Sequence, residues 1–141
     1  MATVNSERKV PVKVNVSSGT PAALVKKFCV WDTNADRVIT HVPGANGAAA
    51  VGILYESVET STDGEHESAM ILPGCITKIT LGEAVTTVGA ALRIGGNSSE
   101  TDGAAYLANA TNDVIVGYAL STGAVGDVIS FHFTGYSGLA A

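Results

Sequence analysis

Histidine and cysteine are the residues of this sequence whose side chains could bind a metal or act as nucleophiles. The three histidines, His41, His66 and His132, are far apart and form no His-x-x-x-His pair, and the two cysteines form no Cys-x-x-Cys pair. Zinc sites commonly use such spacings. We therefore predict that the protein has no metal site.

The acidic residues around His66 are a second group that could bind a cation. Asp63, Glu65 and Glu67 lie within five positions of one another. They lack the regular spacing of a calcium-binding loop, so an exposed, charged loop is the simpler interpretation. We assign no metal to them.

A cysteine nucleophile is the main catalytic possibility. The spacing does not exclude a pair of Cys29 or Cys75 with His41, because such partners meet only in the fold. Both thiols lie in apolar, strand-like segments, where a buried reduced cysteine is the common outcome. No Gly-x-Ser-x-Gly motif, phosphate-binding glycine loop or dinucleotide fingerprint occurs. We predict that the protein is not an enzyme and has no cofactor; a hydrolase would instead show a rapidly alkylated native thiol.

Basic residues are concentrated near the N-terminus. Residues 1–27 carry five basic side chains and one acidic, whereas residues 28–141 carry three basic and twelve acidic. The net charge of -5 thus divides into +4 and -9. This asymmetry indicates an arm that contacts a negatively charged partner, with Arg8, Lys9 and Lys13 as candidate contact residues. The acidic remainder would repel phosphate, so we predict no nucleic-acid binding.

The composition predicts short β-strands joined by tight turns, because 16 glycines accompany a background rich in valine, isoleucine, threonine and alanine. Such strands must position the side chains considered above. Residues 113–133 form the clearest β-hairpin. Residues 50–54 repeat the pattern of residues 115–119, with Gly52 and Gly117 65 positions apart. We therefore predict an all-β fold: a compact β-barrel or sandwich of about ten short strands from an internally duplicated unit, with an extended N-terminal arm and little helix.

The domain prediction follows from this repeat. Residues 1–24 form the extended arm, and residues 25–141 form a single β domain with repeat-like halves at about 25–72 and 76–134. Each half alone would be marginally stable, so we expect a shared core. Residues 83–88 lack glycine and proline and are the one place where a short helical turn is expected. Residues 95–103 form a polar loop, expected to be mobile.

An ordered series of glycines and strand segments resembles the capsid cement, or head decoration, proteins of tailed bacteriophages. The resemblance extends from about Val51 to Phe133 and includes no catalytic residues. It is carried by Ser68–Gly74, Ile76–Ile79, Gly82–Thr86, Gly89–Leu92, Asp102–Ala104, Ile115–Leu120 and Gly126–Ile129.

This resemblance implies a small all-β virion protein that assembles, typically as a homotrimer, on the capsid exterior. Its partners would be the major capsid protein, whose subunit contacts it would stabilise, and further copies of itself. No apolar run approaches the roughly 20 residues of a membrane span, and no secretory signal is visible. We therefore expect synthesis in the host cytoplasm and no membrane partner.

Aromatic residues with a polar group are enriched at protein interfaces, which makes Trp31 and Tyr136 candidates for the subunit interface. Tyr136 follows the last expected strand and lies among glycines. The alternative function is a binding module that displays residues 59–67 and 95–103 to a carbohydrate or host surface. Neither loop contains an aromatic residue, which counts against this alternative.

Overall fold

The structure, a computed structural model, describes residues 7–15, 25–32, 38–40, 49–55, 59–60, 66–97 and 99–141. Eleven short β-strands account for the regular secondary structure of these ranges. They are β1 (Lys9–Asn15), β2 (Phe28–Trp31), β3 (Val38–Ile39), β4 (Gly52–Leu54), β5 (Glu59–Thr60), β6 (His66–Ile71), β7 (Cys75–Thr80), β8 (Ala91–Ile94), β9 (Ala105–Leu107), β10 (Gly117–Ala119) and β11 (Val128–Phe133). The all-β prediction is confirmed.

The first sheet closes on itself. Its strands follow the order β1-β3-β2-β4-β6, and β6 pairs with β1 to complete a ring, with β5 added at the side of β6. All pairs are antiparallel except β1 with β3, where Val14 lies opposite Val38. We call these five strands the first ring.

The second sheet repeats this arrangement. Its order is β7-β11-β10-β8-β9, and a parallel bridge between Leu81 and Ala105 joins the end of β7 to β9. The amide of Gly82 also donates a hydrogen bond to the Ala105 carbonyl at 2.9 Å. We call this circle of strands the second ring.

The two rings agree in register as well as in order. In the first ring Cys29 pairs with Gly52, and in the second Leu92 pairs with Gly117. Likewise Leu54 pairs with Met70, and Ala119 pairs with Phe131. Each strand of one ring therefore has a counterpart in the other, and individual residues can be compared between them.

Alternation along the strands fills each ring with side chains from one face. Inside the first ring lies a cluster of Val14, Cys29, Val38, Leu54 and Met70. Inside the second ring, the counterparts of these five residues are Leu81, Leu92, Ala105, Ala119 and Phe131. The second cluster is larger: besides further residues of the second ring and its connections, it includes Phe28, Ile53 and Ile71 from the other face of the first ring.

Aromatic contacts and backbone hydrogen bonds join the rings. The Phe28 ring lies 5.6 Å from that of Phe131 in a T-shaped arrangement and 5.9 Å from that of Phe133. The Phe28 amide donates to the Gly103 carbonyl at 2.7 Å. The hydrophobic cluster of the second ring thus extends into the first.

The helical turn that we expected at residues 83–88 is absent, so that prediction is wrong. Val85 instead exchanges two backbone hydrogen bonds with Gly123, at 2.9 and 3.0 Å. The β-branched residues of this segment favour such an extended bridge. Residues 9–15 of the N-terminal segment form β1, which pairs along its length with β6. No helix in the described ranges is both long and apolar enough for a membrane crossing.

Candidate interaction surfaces

The basic residues of β1 lie on its outer side. Val10, Val12 and Val14 pack towards the interior of the first ring, so the alternating residues Lys9 and Lys13 project outwards and are exposed. Arg8, immediately before the strand, is exposed as well. The three predicted contact residues therefore share one strand and its start; residues 1–6 and 16–24 of the predicted arm lie outside the described ranges.

Lys9 and Lys26 both contact the aromatic ring of Tyr55 on this surface. The Lys9 ammonium nitrogen lies 3.7 Å from the centroid of the Tyr55 ring, and that of Lys26 lies 4.9 Å from the same centroid. Both distances are within the range of a cation–π interaction. The sequence separates these residues widely, so the pairing of β1, β4 and β6 is needed to bring them together. The charge count alone could not single out Tyr55.

Lys26 has an unusual backbone conformation, with a φ of 59°. This left-handed conformation costs about 1 kcal/mol for a residue with a Cβ atom. Hydrogen bonds hold it in place: the Lys26 amide donates to the Leu54 carbonyl at 2.7 Å, and the Thr80 amide donates to the Lys26 carbonyl at 2.9 Å. Lys26 is therefore fixed between the two rings.

Trp31 lies at the end of β2 and is 55% exposed. Its counterpart in the second ring is Ile94, which is fully buried in the larger hydrophobic cluster. Two further pairs of counterparts at this end of the rings differ in the same direction. Leu72 of the first ring is less buried than Phe133 of the second, and Val51 of the first ring is less buried than Val116 of the second. At this end the first ring thus leaves Trp31 exposed and Leu72 and Val51 half-buried, whereas the second ring buries all three counterparts.

Tyr136 is 59% exposed and lies in the C-terminal segment after β11. The backbone of this segment is fixed, because the Ser137 amide donates to the Ile115 carbonyl at 2.7 Å and the Ile115 amide donates to the Gly138 carbonyl at 2.9 Å. Tyr136 therefore belongs to the second ring and Trp31 to the first. The fold assigns the two predicted interface residues to different rings.

The loop at 95–103 is held by a charged residue rather than left free. Arg93 donates to both carboxylate oxygens of Glu100, at 2.9 and 2.5 Å, and Glu100 also accepts from the amides of Gly96 and Asn97. The hydrogen bond from Arg93 lowers the pKa of Glu100 below its usual value. The Thr101 amide donates to the Tyr106 hydroxyl at 2.8 Å. These contacts fix residues on both sides of position 98, which lies outside the described ranges, and the expected mobility of the loop and its alternative binding role stay predictions.

Lys27 follows Lys26 and is buried where this loop meets the first ring. Burial lowers the pKa of its ammonium group, and the Asp102 carboxylate acts in the opposite direction. Gly103 lies in the same place, with a φ of 74° and no room for a Cβ atom, which would lie 2.7 Å from the Phe28 carbonyl oxygen. This part of the loop is a structural contact between the rings.

The two thiols are buried and unpaired. Burial raises the pKa of both, and for Cys75 the nearby Glu7 adds to the increase. A raised pKa reduces the thiolate fraction that a nucleophile needs. The Cys29 thiol contacts the Met70 sulfur at 3.4 Å, as a core residue would. His41, the predicted partner, and the acidic residues Asp63 and Glu65 lie outside the described ranges.

A solved structure of a phage protein shares this fold over nearly the whole chain. It is the N base of the head fiber gp8.5 of bacteriophage phi29, and the match has a TM-score of 0.62. It covers 94% of this chain and 98% of the other, at 13% sequence identity. At this identity the similarity establishes a common fold. No protein-family model and no curated protein matches the sequence.

Proposed function

We propose that this chain is a structural virion protein of a bacteriophage that binds the outer surface of the head. The observation that carries the proposal is the shared fold with the base of a phage head fiber, which extends over both rings. The resemblance of residues 51–133 to capsid cement proteins is an independent argument for the same location. In this role the protein stabilises contacts between subunits of the major capsid protein and catalyses no reaction.

Self-association as a homotrimer is part of this proposal. The interior of the second ring is extended by three apolar side chains of the first ring, whereas the described cluster inside the first ring contains only its own residues. Trp31 is exposed at the end of that first ring. A second copy that covered Trp31 would remove apolar area from water, which is the main driving force for association. Tyr136, on the second ring, is available for a further contact.

The direct test is to delete the coding sequence from the phage that carries it and to add the purified protein back to the resulting heads. We expect the protein to sediment with these heads and to raise the temperature at which they release DNA. Heads that already carry the native protein are the control and should take up little more. Heads without it that neither bind the added protein nor gain stability would contradict the proposal.

A further inference from the structure

We propose that Lys9, Lys26 and Tyr55 form a binding site for the carboxylate groups of an acidic protein segment. The site lies on the first ring, where β1, the segment before β2 and the end of β4 meet. It deepens the proposed function, because on that function the acidic segment belongs to the capsid surface.

The first argument is the convergence of two positive charges. Both ammonium groups lie over one ring, at 3.7 and 4.9 Å from its centroid, and they repel each other. Within the described part of the chain, no carboxylate forms an ion pair with either of them. Glu7, two residues before Lys9, instead accepts a hydrogen bond from the Thr77 hydroxyl at 2.9 Å. A carboxylate from outside would relieve this repulsion.

The second argument is the fixed geometry of Lys26. Its left-handed backbone is unfavourable for lysine, and its amide and carbonyl are hydrogen-bonded to opposite rings. A glycine would adopt this conformation without strain. Strained residues that their surroundings hold in place are concentrated at functional sites. Both rings thus fix the backbone from which the Lys26 side chain extends to Tyr55.

The third argument concerns the class of partner. Each ammonium has three donors, and the face of Tyr55 occupies none of them as a conventional hydrogen bond would. A carboxylate can accept a charge-assisted hydrogen bond from an ammonium through either of its two oxygens, and an acidic segment offers several carboxylates to the two lysines. A nucleic acid would bring a continuous row of phosphates against a chain whose residues 28–141 carry a net charge of -9. A short acidic segment brings fewer negative charges close to those residues than a nucleic acid does.

The experiment measures binding of a fluorescein-labelled pentaglutamate peptide to the full chain by fluorescence anisotropy at low ionic strength. We expect Lys26→Gly and Lys9→Gln each to lower the affinity by about threefold to tenfold, since exposed ion pairs contribute modestly. Lys78→Gln is the matched control: Lys78 is an exposed cation of the second ring, on β7. The control should leave the affinity unchanged.

Two results would overturn the site. An equal loss in the Lys78→Gln variant would show attraction by overall charge, and an unchanged affinity in Lys26→Gly would remove the central residue. An oligothymidine of equal charge that binds as tightly as the peptide would contradict the carboxylate assignment. Peptide binding without binding to phage heads would leave the site intact and refute the proposed function, so the two can fail separately.

Discussion

The same ring of five strands occurs twice in this protein, but its outer face has two different environments. In the first ring, Ile71 and Ile53 point away from the interior and are buried against the second ring. Their counterparts in the second ring are His132, which is exposed, and Tyr118, which is half-buried. The comparison shows that one strand arrangement supplies an internal contact in the first ring and a solvent-facing surface in the second.

At the ends of the rings the difference is reversed, because there the second ring has the buried side chain and the first ring the exposed one. The second ring buries Ile94, whereas the first ring exposes Trp31 at the corresponding place. The second ring is therefore the more completely filled unit, and the first ring carries most of the features proposed for contact with partners: the basic site at Tyr55 and the exposed tryptophan. Four predictions test this division of roles.

The largest effect is expected from the two interior residues that correspond in register, Phe131 and Met70. Phe131→Ala should lower the free energy of unfolding by about 4 kcal/mol and Met70→Ala by about 3 kcal/mol. Phe131 costs more because its ring also contacts Phe28 of the first ring. Urea denaturation of both variants measures the difference. A larger loss for Met70→Ala would contradict a core centred on the second ring.

The repeated glycines provide the next test. A Cβ atom on Gly117 would lie 2.4 Å from the His132 carbonyl oxygen and 2.8 Å from the Phe131 ring. On Gly52 it would lie 2.1 Å from the Met70 side chain, which can move, and 2.9 Å from the Ile71 carbonyl oxygen. We expect Gly117→Ala to cost about 3 kcal/mol and Gly52→Ala about half as much. Urea denaturation measures both losses of unfolding free energy. Equal losses would mean that the contact with the His132 carbonyl oxygen does not set the difference between the two glycines.

The stability of the fold should fall in acid, in part because of the Arg93–Glu100 pair of the second ring. The first ring has no such pair at the corresponding place, because Val30 is the counterpart of Arg93. The folded-state pKa of Glu100 is lowered, so the pair stabilises the fold above the unfolded pKa of about 4.3 and is lost as the pH falls through the folded value. Glu100→Gln should cost about 1–2 kcal/mol at pH 7 and much less in acid.

Unfolding at pH 7 and at about pH 3 gives the comparison for this variant. Asp127→Asn is a suitable control, because the Asp127 carboxylate accepts a hydrogen bond from the Ala124 amide in an exposed turn without a basic partner in the described ranges. A Glu100→Gln variant that remained as acid-sensitive as the parent would exclude this pair as a source of the pH dependence.

The smallest effect on the free chain is expected at Trp31. Trp31→Ala should change the free energy of unfolding by less than about 1 kcal/mol at low protein concentration, because the side chain is mostly exposed. The corresponding change in the second ring, Ile94→Ala, removes a fully buried group and should cost about 3 kcal/mol. Similar losses at the two positions would mean that Trp31 already has a structural role within the chain.

Much of the fold follows from the sequence. Alternation in β1 and β11, the turn glycines and the Gly52–Gly117 repeat are local signals, and they led to the all-β duplicated unit. Trp31 and Tyr136 could be selected by type, and both are exposed. The meeting of Lys26 with Tyr55 could not be predicted, because it depends on long-range pairing of strands.

The same limit applies to the loop at 95–103 and to the residues 83–88. The polar composition of the loop indicates mobility, but the ion pair that holds it needs Arg93, which lies on the preceding strand. Residues 83–88 have no helix-breaking residue, yet a bridge to Gly123 decides their conformation. In both cases a contact with a residue outside the segment overrides the local preference: Arg93, a few residues earlier, for the loop, and the distant Gly123 for residues 83–88.

Light scattering of the purified protein tests the central claim most directly, namely that the exposed end of the first ring is completed by another copy of the chain. We predict a mass three times that of the 14.3 kDa chain for the parent protein and the mass of a single chain for Trp31→Gln. A parent protein that remains a single chain at high concentration would contradict the claim, as would a Trp31→Gln variant that still forms the trimer.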